Sequence, residues 1–234
     1  MSDFRNYDFG RGGSVSTVTV RNRVLRNTYW LLALSMVPTV FGAWLGLVTG
    51  FTAFAAASPM MTVILFFAVA FGLMFAIERN KNSGIGVALL LAFTFFMGVM
   101  LSRMIGMVLG LANGASLIML AFGGTGVVFG AMATIATVSK RDFSKLAGWL
   151  MMGVVVLIVA SIANIWLQLP ALVLTVSVLA LVIFSAFLLV DVQRVINGGE
   201  TNYVTATLAI YLDLYNIFTS LLSILSIFGG GNRN

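Results

Sequence analysis

Two carboxylates stand where carboxylates are rare. Of the seven acidic residues, Asp3, Asp8, Glu78, Asp142 and Glu200 fall in the polar N-terminal stretch or at predicted helix ends, with water in reach. Asp191, in Leu188-Leu189-Val190-Asp191-Val192-Gln193-Arg194, and Asp213, in Tyr211-Leu212-Asp213-Leu214-Tyr215-Asn216, belong to long apolar runs. A charge at the centre of a bilayer costs about 2.5 to 3.5 kcal/mol on insertion scales, so an acid there marks a functional interior. Asn216, Ser220 and Ser223 follow Asp213 at steps of three, four and three and share its helix face. The resulting polar stripe is a candidate lining for a hydrated ion path. Its bland alternative is hydrogen bonding to neighbouring helices.

If the two carboxylates meet away from water, desolvation and mutual repulsion make them share one proton and titrate as a coupled unit. Such a pair senses protons. Fully ionised, it offers hard oxygen ligands to a cation such as Ca2+, but two carboxylates fall short of the roughly 6–8 oxygens of a tight calcium site, so occupancy is expected to be weak and transient. Arg79, at the inner end of the second apolar run, is the basic residue placed to pair with Asp191; its alternative role is a snorkelling topogenic charge. The chain has no cysteine and no histidine, which removes disulfides, thiol catalysis, the usual zinc ligands and imidazole base chemistry. Any response to pH near neutrality therefore falls to carboxylates. Pro170-Ala171-Leu172 together with two intramembrane aspartates is superficially like an intramembrane aspartyl protease, but no Gly-x-Gly precedes Asp213 and Pro170 comes before both aspartates. The reading is of a protein that is not an enzyme and has no bound cofactor beyond transient Ca2+.

The elements that must position these residues are membrane spans. Hydrophobic residues make up 60% of the 234 and charged residues 9%, with a mean hydropathy of +1.07; soluble domains carry about 25% charged residues. A span takes about 20 apolar residues, and the sequence predicts seven, at 28–50, 58–78, 84–106, 112–138, 146–168, 171–195 and 203–228. The stretch Met104–Ala112 is left open as a helix extension or a re-entrant piece. Residues 1–26 read as a flexible basic cytoplasmic tail, and 27–234 as a single transmembrane domain. Eleven of the 13 Lys and Arg residues fall on the side of the tail and the even-numbered loops, leaving only Arg103 and Arg233 opposite. By the positive-inside rule the N-terminus is cytoplasmic and the C-terminus outside. The same scatter argues against a nucleic-acid surface, despite a net charge of +6. Gly123, Gly124, Gly126 and Gly130 read as sites of close helix packing.

The short Asn197-Gly198-Gly199 turn makes the last two spans antiparallel neighbours. At a rise of about 1.5 Å per residue, Asp191 would sit roughly 9 Å and Asp213 roughly 20 Å from that turn. This offset would have to be closed for the acids to pair.

The chain resembles the Bax inhibitor-1 family of transmembrane Bax inhibitor motif proteins, and within it the bacterial YccA-type members. The resemblance rests on Val24-Leu25-Arg26-Asn27-Thr28-Tyr29, Lys140-Arg141-Asp142-Phe143-Ser144, the run from Ser161 to Pro170, Gly198-Gly199-Glu200-Thr201-Asn202-Tyr203, and Tyr211 to Phe218. It implies an all-α membrane protein of the bacterial inner (plasma) membrane, a seven-transmembrane-helix bundle with its last helix central. It further implies a pH-sensitive calcium leak gated by two aspartates, matched here by Asp191 and Asp213, with Arg79 the match for a latching arginine. The arginine such relatives carry near the end of the last helix is Ser223 here. For the bacterial members the resemblance implies binding to the membrane-anchored AAA protease FtsH, with the tail 1–26 as the expected contact. The lipid bilayer is the other partner.

Overall fold

The fold, taken from a computed structural model, is described for residues 12–229. It comprises helices α1 (Gly12–Val48), α2 (Phe51–Ala57), α3 (Pro59–Asn80), α4 (Gly84–Leu109), α5 (Gly114–Val138), α6 (Leu146–Leu167), α7 (Pro170–Ile196) and α8 (Tyr203–Gly229), with no strand among the described residues. Seven of these are long and apolar enough to cross a bilayer, the first of them over Asn22–Val48. The seven predicted spans each correspond to one of them, and the stretch after Arg103 is a helix extension, since α4 continues to Leu109. Proline at the first helical position starts both α3 (Pro59) and α7 (Pro170), where its missing N–H has no helical partner to lose.

Two features depart from the sequence reading. The helical backbone of α1 reaches back to Gly12, into the stretch read as a tail, whose first 11 residues lie outside those described. The first connection also holds a short helix, α2, which follows a turn at Thr49-Gly50 and is separated from α3 by Ser58 alone. Arg103 fixes it, donating from Nη1 to the carbonyl of Ala55 at 3.1 Å; a cation at a helix C-terminus meets unpaired carbonyls and the negative end of the dipole. Arg103 thus answers a backbone carbonyl.

Exposed Trp30, Phe75, Phe122 and Trp149 ring the bundle, as expected where the surrounding solvent is hydrocarbon. Its interior is built by α8, which packs against α1, α3, α4, α5 and α7. Ile210, Tyr211, Ile217 and Leu222 of α8 are fully buried together with Leu90 and Phe93 of α4 and Leu188 and Val192 of α7. The last helix is therefore central.

The tightest helix pair is α1 with α4. A Cβ on Gly42 would come within 2.2 Å of the Phe95 carbonyl oxygen, and one on Gly98 within 2.0 Å of the Thr39 oxygen. Gly46 sits the same way on Ser102, so Gly42-xxx-Gly46 on α1 meets Gly98-xxx-Ser102 on α4, the small-residue arrangement that lets backbones touch in lipid. The glycines that the sequence singled out for this job on α5 do not do it. Gly123, Gly126 and Gly130 face open space and only Gly124 meets a neighbour, the Leu221 side chain. Glycine content alone does not say which helix face meets a partner.

Candidate functional site

The rotation of α8 about its axis decides what Asp213 faces, and hydroxyl groups on the opposite side set that rotation. Tyr211 Oη lies 2.8 Å from Thr39 Oγ1 of α1 and donates to the Thr94 carbonyl of α4 at 3.4 Å; Tyr215 donates to the Met97 carbonyl at 3.3 Å. Thr207 reaches the Thr28 carbonyl of α1 at 3.3 Å and the Tyr203 carbonyl of its own helix at 2.6 Å. With these pinned to α1 and α4, the face bearing Ala206, Ala209 and Asp213 turns to α7.

Asp213 is 4% exposed. Its Oδ2 is the one buried side-chain polar atom among the described residues that has no hydrogen-bond partner. A buried polar group left unpaired costs about 1 to 3 kcal/mol, and native proteins retain few such groups, so this one calls for an occupant or a purpose. The charged group that acts on it electrostatically is Asp191 of the neighbouring α7. Helix geometry narrows the offset between the two aspartates. Asp191 lies five residues before the end of α7 and Asp213 ten residues into α8, about 8 and 15 Å along their axes. Side chains lean toward the N-terminus of their own helix. In this antiparallel pair Asp191 therefore leans away from the turn and Asp213 toward it, which shortens the axial separation of the two side chains.

Asp191 is not paired with Arg79. Its Oδ1 lies 3.4 Å from Nη1 of Arg194, one turn further along α7. Arg79 is exposed at the end of α3, and the ion pairs among the described residues are Asp191–Arg194 and Lys81–Glu78. The sequence reading passed over Arg194, although i, i+3 spacing on a helix was the signal available. The polar stripe is divided in its roles. Ser223 accepts a hydrogen bond from Ser177 of α7 at 2.9 Å, the packing function weighed for it, and Asn216 donates to the Leu212 carbonyl of its own helix at 2.8 Å. Ser220 is buried beside them.

Two side-chain amides, neither visible as a site in the sequence, hold the loops around this hairpin. Gln193, 3% exposed, accepts from the Phe143 N–H at 2.9 Å and donates to the Arg141 carbonyl at 2.7 Å, clamping the α5–α6 loop to α7. Asn202 caps α8 by accepting from the Val204 N–H and donates to the Lys81 carbonyl and Asn82 side chain. The three loops on this side of the bundle thus form one connected surface. Its charges are set locally: a hydrogen bond to Glu78 holds the Lys81 ammonium above its ordinary pKa, and the backbone N–H of Ser144 holds Asp142 below its own.

No group of three or more acidic side chains that could hold a metal ion is found among the described residues.

Comparison with known proteins adds lineage to this geometry. The profile of the family described as inhibitor of apoptosis-promoting Bax1 matches residues 21–230. The modulator of FtsH protease YccA of Escherichia coli K12 is 40% identical over 204 residues, 87% of this chain and 90% of that one. The inner membrane protein YccA of E. coli O6:H1 matches to the same extent. A membrane protein of Vibrio cholerae is 35% identical over 219 residues, 94% of this chain and 96% of its own.

Proposed function

Because this chain belongs to the family of inhibitors of apoptosis-promoting Bax1, we propose that it is a multi-pass inner-membrane protein that binds a membrane-anchored AAA protease of the FtsH type and modulates its activity. The observation that carries this reading is the 40% identity, over nearly the whole of both chains, to a relative named for that role. The loop surface tied together by Gln193 and Asn202 and the basic residues 1–26 supply the contact. The chain acts by binding and not as an enzyme. Affinity capture of the tagged chain from native membranes should bring down the protease, and deletion of residues 1–20, which precede the first span, should lose it. Absence of the protease from the intact chain's complexes would sink the proposal.

A second reading is favoured by the unpartnered Oδ2 of Asp213: a pH-sensitive passive cation leak, for calcium as the hard cation that carboxylates suit, with Asp191 and Asp213 as sensor and transient ligands. Calcium flux into proteoliposomes should depend on pH in the native protein and lose that dependence in Asp213→Asn. Identical flux in the two proteins at every pH would rule the aspartate out.

A further inference from the structure

The α5–α6 loop differs from the two loops beside it in how its charges are answered. At the α3–α4 connection Lys81 is paired with Glu78, and at the α7–α8 connection Arg194 is paired with Asp191. Lys140, Arg141 and Lys145 lie close together in the α5–α6 loop; all three are exposed, and none forms an ion pair among the described residues. The acid between them, Asp142, lies within electrostatic reach of Lys145 and accepts the Ser144 N–H at 2.9 Å. Three bases stand against that single acid, so the loop is positive.

Bases in short loops also orient spans, so the charges alone name no ligand. Three further features do. The loop is pinned in place, by the Gln193 amide at Arg141 and Phe143 and by Ser139 Oγ, which accepts the Arg141 N–H at 3.2 Å. Donors held in advance bind an anion without the entropic cost of ordering a mobile segment. The loop also bridges an opening: among the described residues α6 packs on α7 alone, so α5 and α6 do not touch although they are consecutive. Below the loop, Lys145, Trp149, Met152, Val156 and Val159 follow one face of α6 at steps of four, three, four and three. Trp149 is 74% exposed and the three apolar side chains after it are exposed as well, while Gly153 meets Ile183 of α7 and Leu157 is buried. Trp149 stands about 6 Å deeper than Lys145 along the helix, and an indole beside a base is the pairing found at the headgroup level of a bilayer.

The structure assigns this corner of the bundle to an anionic phospholipid, its phosphate held by Lys140, Arg141 and Lys145 and its acyl chains laid along the Trp149 face of α6. An acidic protein segment would answer the bases but not the apolar track that continues from them into the membrane. A phospholipid answers both, and basic clusters at the ends of spans are where anionic headgroups bind. Neither reading under the proposed function involves this lipid, and the assignment rests on neither.

The test is fluorescence quenching of Trp149 by brominated lipids in proteoliposomes of the full chain. Trp30→Phe, Trp44→Phe and Trp166→Phe leave Trp149 as the sole tryptophan of the four. Brominated phosphatidylglycerol in a phosphatidylcholine bilayer should reach half-quenching at a much lower mole fraction than brominated phosphatidylcholine does. Lys145→Gln should raise that mole fraction about five-fold, the weight of one base at a membrane surface. With Lys140→Gln and Arg141→Gln added, the preference should vanish; Arg79→Gln, which removes a base from another loop, should keep it. Lys145→Gln alone decides the matter if the triple variant does not fold. Equal quenching by the two lipids, or a preference that survives loss of the loop bases or is lost equally in Arg79→Gln, would overturn the assignment. So would weak quenching by both lipids, which would mean that protein covers this face.

Discussion

Asp213 is held in a place that does nothing for stability. An acid that is 4% exposed with one oxygen unpaired is disfavoured whichever form it takes, because ionisation meets a nearby carboxylate and protonation still leaves polar atoms without partners. Replacing it by an apolar residue of similar size should therefore stabilise the fold. We expect Asp213→Leu to raise the unfolding temperature in detergent, by the equivalent of about 1 to 3 kcal/mol, while abolishing any pH-dependent flux. A lower unfolding temperature would mean that the carboxyl has a structural partner. Asp142 is a different case. It is fully exposed, and accepts from the Ser144 N–H at 2.9 Å, which lowers its pKa below the ordinary 3.8. A depressed carboxyl contributes stability that is present above 3.8 and lost as pH falls through the lowered native value. Amide-exchange protection of residues 143–146, corrected for intrinsic rates, should drop across that acidic window in the native chain. In Asp142→Ala it should be low at every pH.

Helices associate here by close backbone approach on one pair and by side-chain groups on the others. The α1–α4 contact depends on Gly42, Gly46 and Gly98, where even a methyl group would strike backbone or a short side chain. Gly98→Ala should cost about 1 to 3 kcal/mol, the range for overpacked interiors, because the Thr39 carbonyl it would strike is part of a helix and has little freedom to move. Gly126→Ala should be neutral or slightly stabilising, since its Cβ points into open space and alanine is the better helix former by about 1 kcal/mol. Thermal unfolding of the two variants side by side checks both; an equal loss in each would show that α5 packs on something in the membrane. The α7–α8 hairpin is held differently, by the Gln193 and Asn202 amides that bind its ends to the other two loops. A shift of α7 against α8 would have to carry those loops with it, which ties the surroundings of Asp213 to the loop surface.

At the scale of the whole molecule, the chain's lack of cysteine makes its orientation directly measurable. With the N-terminus cytoplasmic, a membrane-impermeant maleimide applied to intact cells stripped of their outer membrane should label Asn113→Cys and spare Ser83→Cys. Both positions are exposed in loops at opposite ends of α4. The reverse pattern would invert the topology. The residue sequence by itself determined the lipid environment, the seven spans and nearly all of their boundaries, because about 20 apolar residues in a row have one stable home. It also pointed to Asp191 and Asp213, because charge in an apolar run is conspicuous wherever the helices pack. Only the tertiary structure decided which partners those residues have. Arg194 in place of Arg79, the working glycines on α1 and α4 in place of those on α5, and the Gln193 and Asn202 clamps all depend on how each helix is rotated about its axis. In an apolar segment without a strong polar face that rotation leaves little trace in the sequence. It is fixed by contacts between residues far apart in the chain, such as Tyr211 with Thr39 and Thr94.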